Sequence, residues 1–221
     1  MIHMENVTKY YSTPKGRKYV LRDVNMSFPP DCNIAILGRN GTGKSTLLRL
    51  LGGIDYPNRG SIQSDVRISW PMGLQGGVQG SLSGRDNARF VCRIYGDNEQ
   101  EVERKIKFIL EFSELGDYFD MPVKTYSSGM RARLSFATSM AFDFDIYLMD
   151  EITAVGDQQF KQKSRAALQE KKDKANIIKV SHNMEELMTD CDVGVYLEDG
   201  QLRIYDDIKE AVAAYKSKLV A

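Results

Sequence analysis

Residues 38–46 set the narrowest limits on the fold of this 221-residue chain. They read Gly-Arg-Asn-Gly-Thr-Gly-Lys-Ser-Thr, follow an apolar run at residues 33–37 and lead into residues 47–51, which have the pattern of a helix. Strand, glycine-rich loop and helix form the context in which G-x-x-x-x-G-K-[ST] is a phosphate-binding P-loop. A surface turn that contains glycines and a lysine by chance is the alternative, but the complete motif with both flanks favours the P-loop.

The residue types of this loop suit a bound polyphosphate. Glycines let the backbone curl so that consecutive N–H groups point at one phosphate chain, and the positive end of the following helix favours the same anion. Lys44 is placed to reach the β- and γ-phosphates, and the Ser45 hydroxyl to ligate Mg²⁺. The candidate nucleotide-binding residues of the loop are Gly38, Arg39, Asn40, Gly41, Thr42, Gly43, Lys44, Ser45 and Thr46.

Composition limits the class of partner. The chain has 30 Lys and Arg against 30 Asp and Glu, and this balance gives no reason to expect nucleic acid or an anionic membrane surface as a partner. Its three cysteines have no metal-ligand spacing and suit a reducing compartment. Without a signal-like N-terminus or a long apolar run, we expect a soluble, cytoplasmic protein unless a partner holds it elsewhere.

Hydrophobic patterning predicts the elements around the loop. Strands are expected at 2–7 and 18–28, and a turn-rich connection at 52–60 leads to a short strand at 66–70. The glycine-rich residues 71–84 predict a flexible loop before helices. Helices are expected at 86–95, at 98–112 with a capping box from Asn98 and Glu101, and at 131–140. Strands are expected at 145–149, 176–180, 192–197 and 202–205. A last helix would place Ile208, Val212 and Tyr215 on one face.

Two further groups follow predicted strands. Asp150 and Glu151 come after the strand at 145–149, where one carboxylate is placed to hold Mg²⁺ and Glu151 to polarise an attacking water. An apolar run before Asp-Glu is common by chance, but its combination with the P-loop favours function. His182 follows the strand at 176–180 and so reaches the phosphate end of the same site, although a lone histidine is more often structural.

Two weaker signals are compatible with ordinary structure. Tyr10 and Tyr11 end the first strand, where an aromatic ring either stacks on a nucleotide base or packs against the strand end. Ser127 and Ser128 stand at the start of a predicted helix, where a serine is a preferred N-cap and needs no further role.

Together these motifs resemble the ATP-binding subunit of ABC transporters over essentially the entire chain. In this resemblance the P-loop is Walker A, Asp150 and Glu151 are the Walker B aspartate and catalytic glutamate, and His182 is the switch histidine. Asp157 ends the D-loop, and Tyr11 has the position of the base-stacking aromatic, with Tyr10 as the alternative. The signature residues, which the resemblance places against the ATP of a partner copy, are Ser127, Ser128, Gly129 and Met130.

The resemblance implies an α/β fold with a mainly parallel core sheet, an antiparallel β subdomain and an inserted helical subdomain. Residues 1–221 would form one ATP-binding domain, with the helical subdomain at about 76–142. It also implies ATP and Mg²⁺ as cofactors, with Ser45, Asp150 and Gln75 as the metal-site residues. Gln75 is chosen over Gln79 as the glutamine-loop residue, because alignment on residues 82–83 places the family's glutamine beside it.

The signature, Tyr-Ser-Ser-Gly-Met, and the Val-Gly that precedes Asp157 are similar to one branch of the family, the ATPases that drive export of bacterial capsule, O-antigen or teichoic acid. Relatives in the last two groups often carry a further C-terminal domain, so the end of this chain favours capsule export. The resemblance implies a homodimer on the cytoplasmic side of the inner membrane, held there by permease subunits, with no nucleic acid and no direct binding of the polysaccharide.

Other functions compete with this interpretation. O-antigen or another surface polymer is an alternative cargo. A soluble ABC-type ATPase is a second possibility, but the coiled-coil insertion of repair proteins and the tandem domains of translation factors are not present in this sequence. A different P-loop enzyme, such as a small-molecule kinase, would need an acceptor site and would not carry the signature with the switch histidine. Intact Lys44, Asp150 and Glu151 argue against a non-hydrolysing subunit.

Overall fold

The computed structural model describes residues 1–72, 78–150 and 158–220. The chain divides into two compact units: residues 1–71, 144–151 and 174–221 form the first unit, and residues 72–143 and 152–173 form the second.

The first unit contains two sheets and helices. A three-stranded antiparallel sheet has the order β2-β1-β4, and a five-stranded sheet has the order β5-β6-β3-β7-β8, in which only β8 runs antiparallel to its neighbour. This mixture of a mainly parallel sheet with an antiparallel one confirms the predicted α/β fold class. The strands are β1 Ile2–Thr13, β2 Gly16–Phe28, β3 Ile34–Leu37, β4 Arg59–Ser64, β5 Ile146–Met149, β6 Asn176–Lys179, β7 Val193–Glu198 and β8 Gln201–Tyr205; the helices are α1 Lys44–Leu51, α6 Met184–Asp190 and α7 Ile208–Val220.

Asn33 aligns three parallel strands at their amino ends. Its backbone N–H donates to Asp192 Oδ2 at 2.8 Å, and its side-chain oxygen accepts from the backbone N–H of Ile177 at 3.0 Å. β3 then runs through the middle of the sheet with all four of its residues buried. Because Asn33 ties the starts of β3, β6 and β7 through its backbone N–H and its side chain, the opposite ends of these strands finish along a common edge.

Three predictions in this unit are wrong. The strand expected at 2–7 runs on to Thr13, because β1 pairs with β2 over that length. The expected strand at 66–70 is only an isolated bridge between Ile68 and Ile146, and the expected connection at 52–60 already contains the start of β4 at Arg59. β4 has a weak apolar pattern because both of its faces are largely exposed. Backbone pairing with β1, rather than burial, makes it a strand.

The second unit is helical in its described residues. It contains α2 Gly84–Ile94, α3 Glu99–Ser113, α4 Ser128–Met140 and α5 Gln158–Lys172, with short 3₁₀ helices at Gly116–Asp120 and Val123–Thr125. The capping box of α3 is confirmed, since Asn98 Oδ1 accepts from Glu101 N and the Glu101 carboxylate accepts from Asn98 N, both at 3.0 Å. Sequence reasoning did not identify α5 or α6.

A phenylalanine cluster holds three helices of the second unit together. Phe112 of α3 stacks on Phe136 of α4 with ring centres 6.0 Å apart, and both meet Phe160 of α5 edge to face. Edge-to-face and offset rings add to the free energy of burial. Among the helices that the structure describes, none has the length and hydropathy of a membrane-spanning segment.

Candidate nucleotide-binding site

The parallel strands β3, β5 and β6 bring three predicted site groups to one edge of the sheet. The P-loop follows β3, Asp150 follows β5 and His182 lies shortly after β6. The ends of β5 and β6 are tied by the backbone N–H of Val180, which donates to Met149 O at 2.8 Å. Ligands of open α/β sheets bind outside the carboxyl ends of the strands, so this edge is the expected location of a site.

A cavity of about 500 Å³ opens at this edge. Its lining combines residues of the P-loop, the antiparallel sheet and the ends of β5 and β6. The lining residues are Tyr11, Lys18, Val20, Asn40, Gly41, Gly43, Lys44, Ser45, Thr46, Asp150, Val180 and His182. Gly38, Arg39 and Thr42, which were also predicted to bind nucleotide, shape the loop itself.

Internal hydrogen bonds fix the P-loop. The hydroxyl and the backbone N–H of Thr42 both donate to Arg39 O, at 2.9 and 3.3 Å. The Lys44 ammonium donates to Gly38 O at 2.7 Å and to Arg39 O at 3.2 Å. These contacts close the loop from Gly38 to Lys44 and hold the ammonium group against it, at the cavity that a polyphosphate would enter.

The electrostatics of the cavity suit an anion with a divalent cation. α1 begins at Lys44 without an acidic residue in its first turn, so its free N–H groups and dipole remain available to an anion. The side chains of Lys18 and Lys44 add positive charge. Ser45 and Asp150 line the same cavity, and Mg²⁺ in nucleotide sites takes one or two carboxylates together with phosphate oxygens and water. The residues present therefore fit both groups.

His182 lies on a loop that is anchored on both sides. Before it, the buried Lys179 donates to Glu186 Oε1 and Asp190 Oδ2, both at 2.6 Å, which ties β6 to α6. After it, Asn183 caps α6 by accepting from Glu185 N at 3.1 Å. His182 itself is exposed and lines the cavity. The hydrogen bonds of Lys179 and Asn183 with α6 therefore form a fixed support for the loop that carries it.

Burial and hydrogen bonding act in opposite directions on the pKa values in this support. Burial lowers the pKa of Lys179, but its hydrogen bonds to Asp190 and Glu186 outweigh that effect and raise the pKa above its ordinary value. Burial likewise raises the pKa of Glu186, and the bond from Lys179 outweighs it and lowers the pKa. The pair is therefore charged over the whole neutral range.

The two candidate tyrosines have different surroundings. Tyr11 lines the cavity, whereas Tyr10 packs on Tyr19 with ring centres 5.4 Å apart and lies under the guanidinium of Arg17. Successive residues of a strand point to opposite faces, which explains the difference. The structure thus gives Tyr11, and not Tyr10, the position from which to contact a bound nucleotide.

Sequence reasoning missed three residues that line the cavity, Lys18, Val20 and Val180. Lys18 pairs directly opposite Tyr11 in the β1–β2 hairpin, and that register was the signal that could have identified it. Val20 lies close to the P-loop. A Cβ built on Gly43 would overlap Cγ1 of Val20.

The signature residues begin α4 in the second unit. Ser127 is the N-cap, and its hydroxyl accepts from Met130 N at 3.2 Å. Ser128 is exposed, Gly129 and Met130 are half-buried, and no acidic residue lies in the first turn. Tyr126 anchors the preceding turn by donating to Tyr118 O at 2.5 Å, and burial raises the pKa of this phenol. The start of α4 is therefore a fixed, exposed helix N-terminus.

Three predicted site residues, Gln75, Glu151 and Asp157, lie outside the described residues.

Comparison with known families agrees with this geometry. The family model described as "ABC transporter" matches residues 21–154, which include the P-loop, the signature and Asp150. The chain belongs to the ABC transporter family. Membership confirms the family predicted from the motifs, including nucleotide binding by the cassette.

Relatives match nearly the full length of the chain. The polysialic acid transport ATP-binding protein KpsT of Escherichia coli is 54% identical over 99% of this chain and 100% of its own length. The capsule polysaccharide export ATP-binding protein CtrD of Neisseria meningitidis serogroup B is 46% identical over 98% of this chain and 99% of its own. A solved ABC cassette, MJ0796 in a dimeric post-hydrolysis state with ADP and Pi, has the same fold, with a TM-score of 0.72 at 23% identity over 93% of this chain and 98% of its own.

Proposed function

We propose that this chain is the ATP-hydrolysing subunit of an ABC transporter that exports capsular polysaccharide. The observation that carries this proposal is the 54% and 46% identity, across nearly the whole chain, to ATP-binding proteins of polysialic acid transport and capsule export. The cassette hydrolyses ATP, and the separate permease through which the polymer passes is driven by that reaction. The polymer itself has no binding site in this proposal.

The cavity supplies the nucleotide-binding groups. The N–H groups of the P-loop and the Lys44 ammonium bind the β- and γ-phosphates. Ser45 and Asp150, with Gln75, hold Mg²⁺, which neutralises charge on the phosphates when it is bound. Tyr11 stacks on the base.

The carboxylate and the histidine act at the γ-phosphate. Glu151 orients and polarises the attacking water, and His182 contacts the γ-phosphate from the loop after β6. With these roles, ATP hydrolysis takes place at the edge of the sheet where Asp150, His182 and the P-loop line one cavity.

Two copies complete the site. Ser127, Ser128, Gly129 and Met130 offer a hydroxyl and helix-start N–H groups to the ATP that the other copy holds, and Asp157 lies in the dimer contact. Hydrolysis to ADP removes the anion that joins the copies, so the dimer opens. Permease subunits, which receive this motion, hold the dimer on the cytoplasmic side of the inner membrane.

Dimer formation can be tested with a variant that binds but does not hydrolyse ATP. We expect Glu151→Gln to elute as a dimer with ATP and a monomer without it, by size-exclusion chromatography with light scattering. Lys44→Ala, which loses the phosphate contact, is the matched control and should stay monomeric. Wild-type ATP turnover by Glu151→Gln would show that Glu151 is not the catalytic carboxylate.

The cargo can be tested in cells. We expect deletion of the gene for this chain to abolish surface polysaccharide, with polymer retained inside the cell, and the wild-type gene but not Lys44→Ala to restore export. A tagged copy should recover a polytopic permease from detergent-solubilised membranes. Unchanged surface polysaccharide in the deletion strain would reject the proposed cargo while leaving the ATPase assignment intact.

A further inference from the structure

The hydroxyl of Tyr11 lies between Thr46, which also lines the cavity, and Asp55, which does not. Its hydroxyl donates to Asp55 Oδ2 at 3.1 Å and lies 3.5 Å from Thr46 Oγ1. Asp55 follows α1, and Thr46 belongs to the first turn of that helix. The phenol of a β1 residue therefore contacts the first turn of α1 and the segment that follows this helix.

Asp55 is held in turn by Lys9. The Lys9 ammonium, on a side chain that is only 8% exposed, donates to Asp55 Oδ1 at 2.6 Å and to Tyr56 O at 2.8 Å. The same ammonium lies 5.2 Å from the centre of the Tyr11 ring. Burial raises the pKa of Asp55, but the hydrogen bonds from Lys9, Tyr56 N and Tyr11 outweigh that effect and lower it. The carboxylate is thus charged: Oδ1 accepts from Lys9 and from Tyr56 N, and Oδ2 accepts from Tyr11.

The ion pair between Lys9 and Asp55 uses one carboxylate oxygen and is enough to join β1 to the segment after α1. A purely structural role would not require the second oxygen of Asp55 to accept from Tyr11. Tyr10, the neighbouring residue, shows the contrast, because its ring packs on Tyr19 and Arg17. A ring fixed before binding loses less rotamer freedom when a base stacks on it, and so binds more tightly.

We infer that Lys9 and Asp55 are positioning residues that hold the Tyr11 ring in place as the platform for the nucleotide base. This inference rests on the proposed ATP site. Neither side chain touches the nucleotide in this arrangement; both act through Tyr11. Their effect should therefore be confined to ligands that carry a base.

The test compares two ligands by isothermal titration calorimetry on the full chain without Mg²⁺, so that no turnover occurs: ATP, and inorganic tripolyphosphate, which has no base. Tyr11→Ala removes the ring and should weaken ATP binding roughly fivefold or more. Tyr11→Phe keeps the ring and the Lys9–Asp55 pair but removes the hydroxyl, and should weaken ATP binding roughly threefold to tenfold. Tyr10→Phe is the matched control and should bind as wild type does.

Asp55→Asn extends the test to the carboxylate. It should weaken ATP binding at least as much as Tyr11→Phe does, because the amide keeps an acceptor oxygen for Lys9 or for Tyr11 but not for both. Tyr11→Phe should add little to this loss when the two are combined. Tripolyphosphate should bind all variants with wild-type affinity. In steady-state assays with Mg²⁺, KM for ATP should rise for Tyr11→Phe while kcat stays near the wild-type value.

Three results would overturn the inference. If Tyr11→Ala loses ATP affinity and Tyr11→Phe does not, the ring stacks on the base without its hydrogen bond to Asp55. The positioning role of Lys9 and Asp55 then fails, while the stacking role of Tyr11 remains. If Tyr11→Ala binds ATP normally, the base platform fails as well. If tripolyphosphate affinity falls together with ATP affinity in Tyr11→Phe, the network supports the P-loop in general and not the ring.

Discussion

Gly43 is the position where a single methyl group should do most damage to the P-loop. Its backbone has φ 112° and ψ 19°, and a Cβ would overlap Cγ1 of Val20, which is buried at 6% exposure. For Gly43→Ala, the left-handed backbone costs about 1–2 kcal/mol and the overpacking about 1–3 kcal/mol. We expect a loss of about 2–5 kcal/mol, measured by thermal and urea unfolding without nucleotide.

Gly41 separates the two contributions. It also has a positive φ, 80°, but a Cβ there would meet nothing within 4 Å. Gly41→Ala should therefore lose only the backbone part, about 1–2 kcal/mol. For a chain of this size, each kcal/mol lowers the midpoint of thermal unfolding by about 2–4 °C, so the two variants should be resolved.

Val20→Ala then isolates the steric contact. Alone it should destabilise by about 1–3 kcal/mol through lost burial. Combined with Gly43→Ala it removes the overlap, so the double variant should be about 1–3 kcal/mol more stable than the sum of the single losses predicts. Simple additivity of the two losses, or equal losses for Gly41→Ala and Gly43→Ala, would refute the packing argument.

Three further predictions concern the support of His182 and the start of α4. Glu186 has a folded pKa below its ordinary value of 4.5, so its contribution to stability is present above pH 4.5 and declines as the pH falls through the folded pKa. Glu186→Gln should therefore flatten the acid side of a curve of unfolding free energy against pH. An unchanged curve would contradict this prediction. Lys179→Met should cost about 2–3 kcal/mol in urea unfolding, somewhat less than a fully buried pair because its carboxylates are partly exposed, whereas Lys171→Met, which removes a surface pair, should cost under about 1 kcal/mol. Ser127→Ala should destabilise α4 by about 1 kcal/mol and also reduce ATP turnover, because it removes the N-cap. Ser128→Ala leaves the cap in place and should reduce turnover without a loss of stability. Equal midpoints of thermal unfolding for the two variants would argue against the capping role of Ser127.

Local signals in the sequence were sufficient where the structure depends on neighbouring residues. The capping box of Asn98 and Glu101 acts within one helical turn, and Ser127 caps α4 in the same way. The P-loop, Asp150 and His182 each follow an apolar run, and the carboxyl ends of parallel strands meet at one edge. Their convergence on one cavity therefore required only that the runs be strands of one sheet.

The failures have a common physical cause. β4 has little hydrophobic pattern because its two faces are largely exposed, and its pairing with β1 creates the strand. Lys18 was missed for the same reason, since only the register of β1 against β2 places it beside Tyr11. Pairing between distant segments leaves a weak trace in either segment alone.

The sequence by itself determined the chemistry of this protein: the phosphate-binding loop, the carboxylate after β5, the histidine after β6 and the family to which they belong. These follow from residue types at fixed short spacings, each of which acts through its own backbone. Only the tertiary structure decided which tyrosine faces the cavity and what holds it. The side-chain direction of Tyr11 depends on strand pairing, and the hydrogen bonds from Lys9 and from Tyr11 to Asp55 join residues that are 46 and 44 positions apart in the chain.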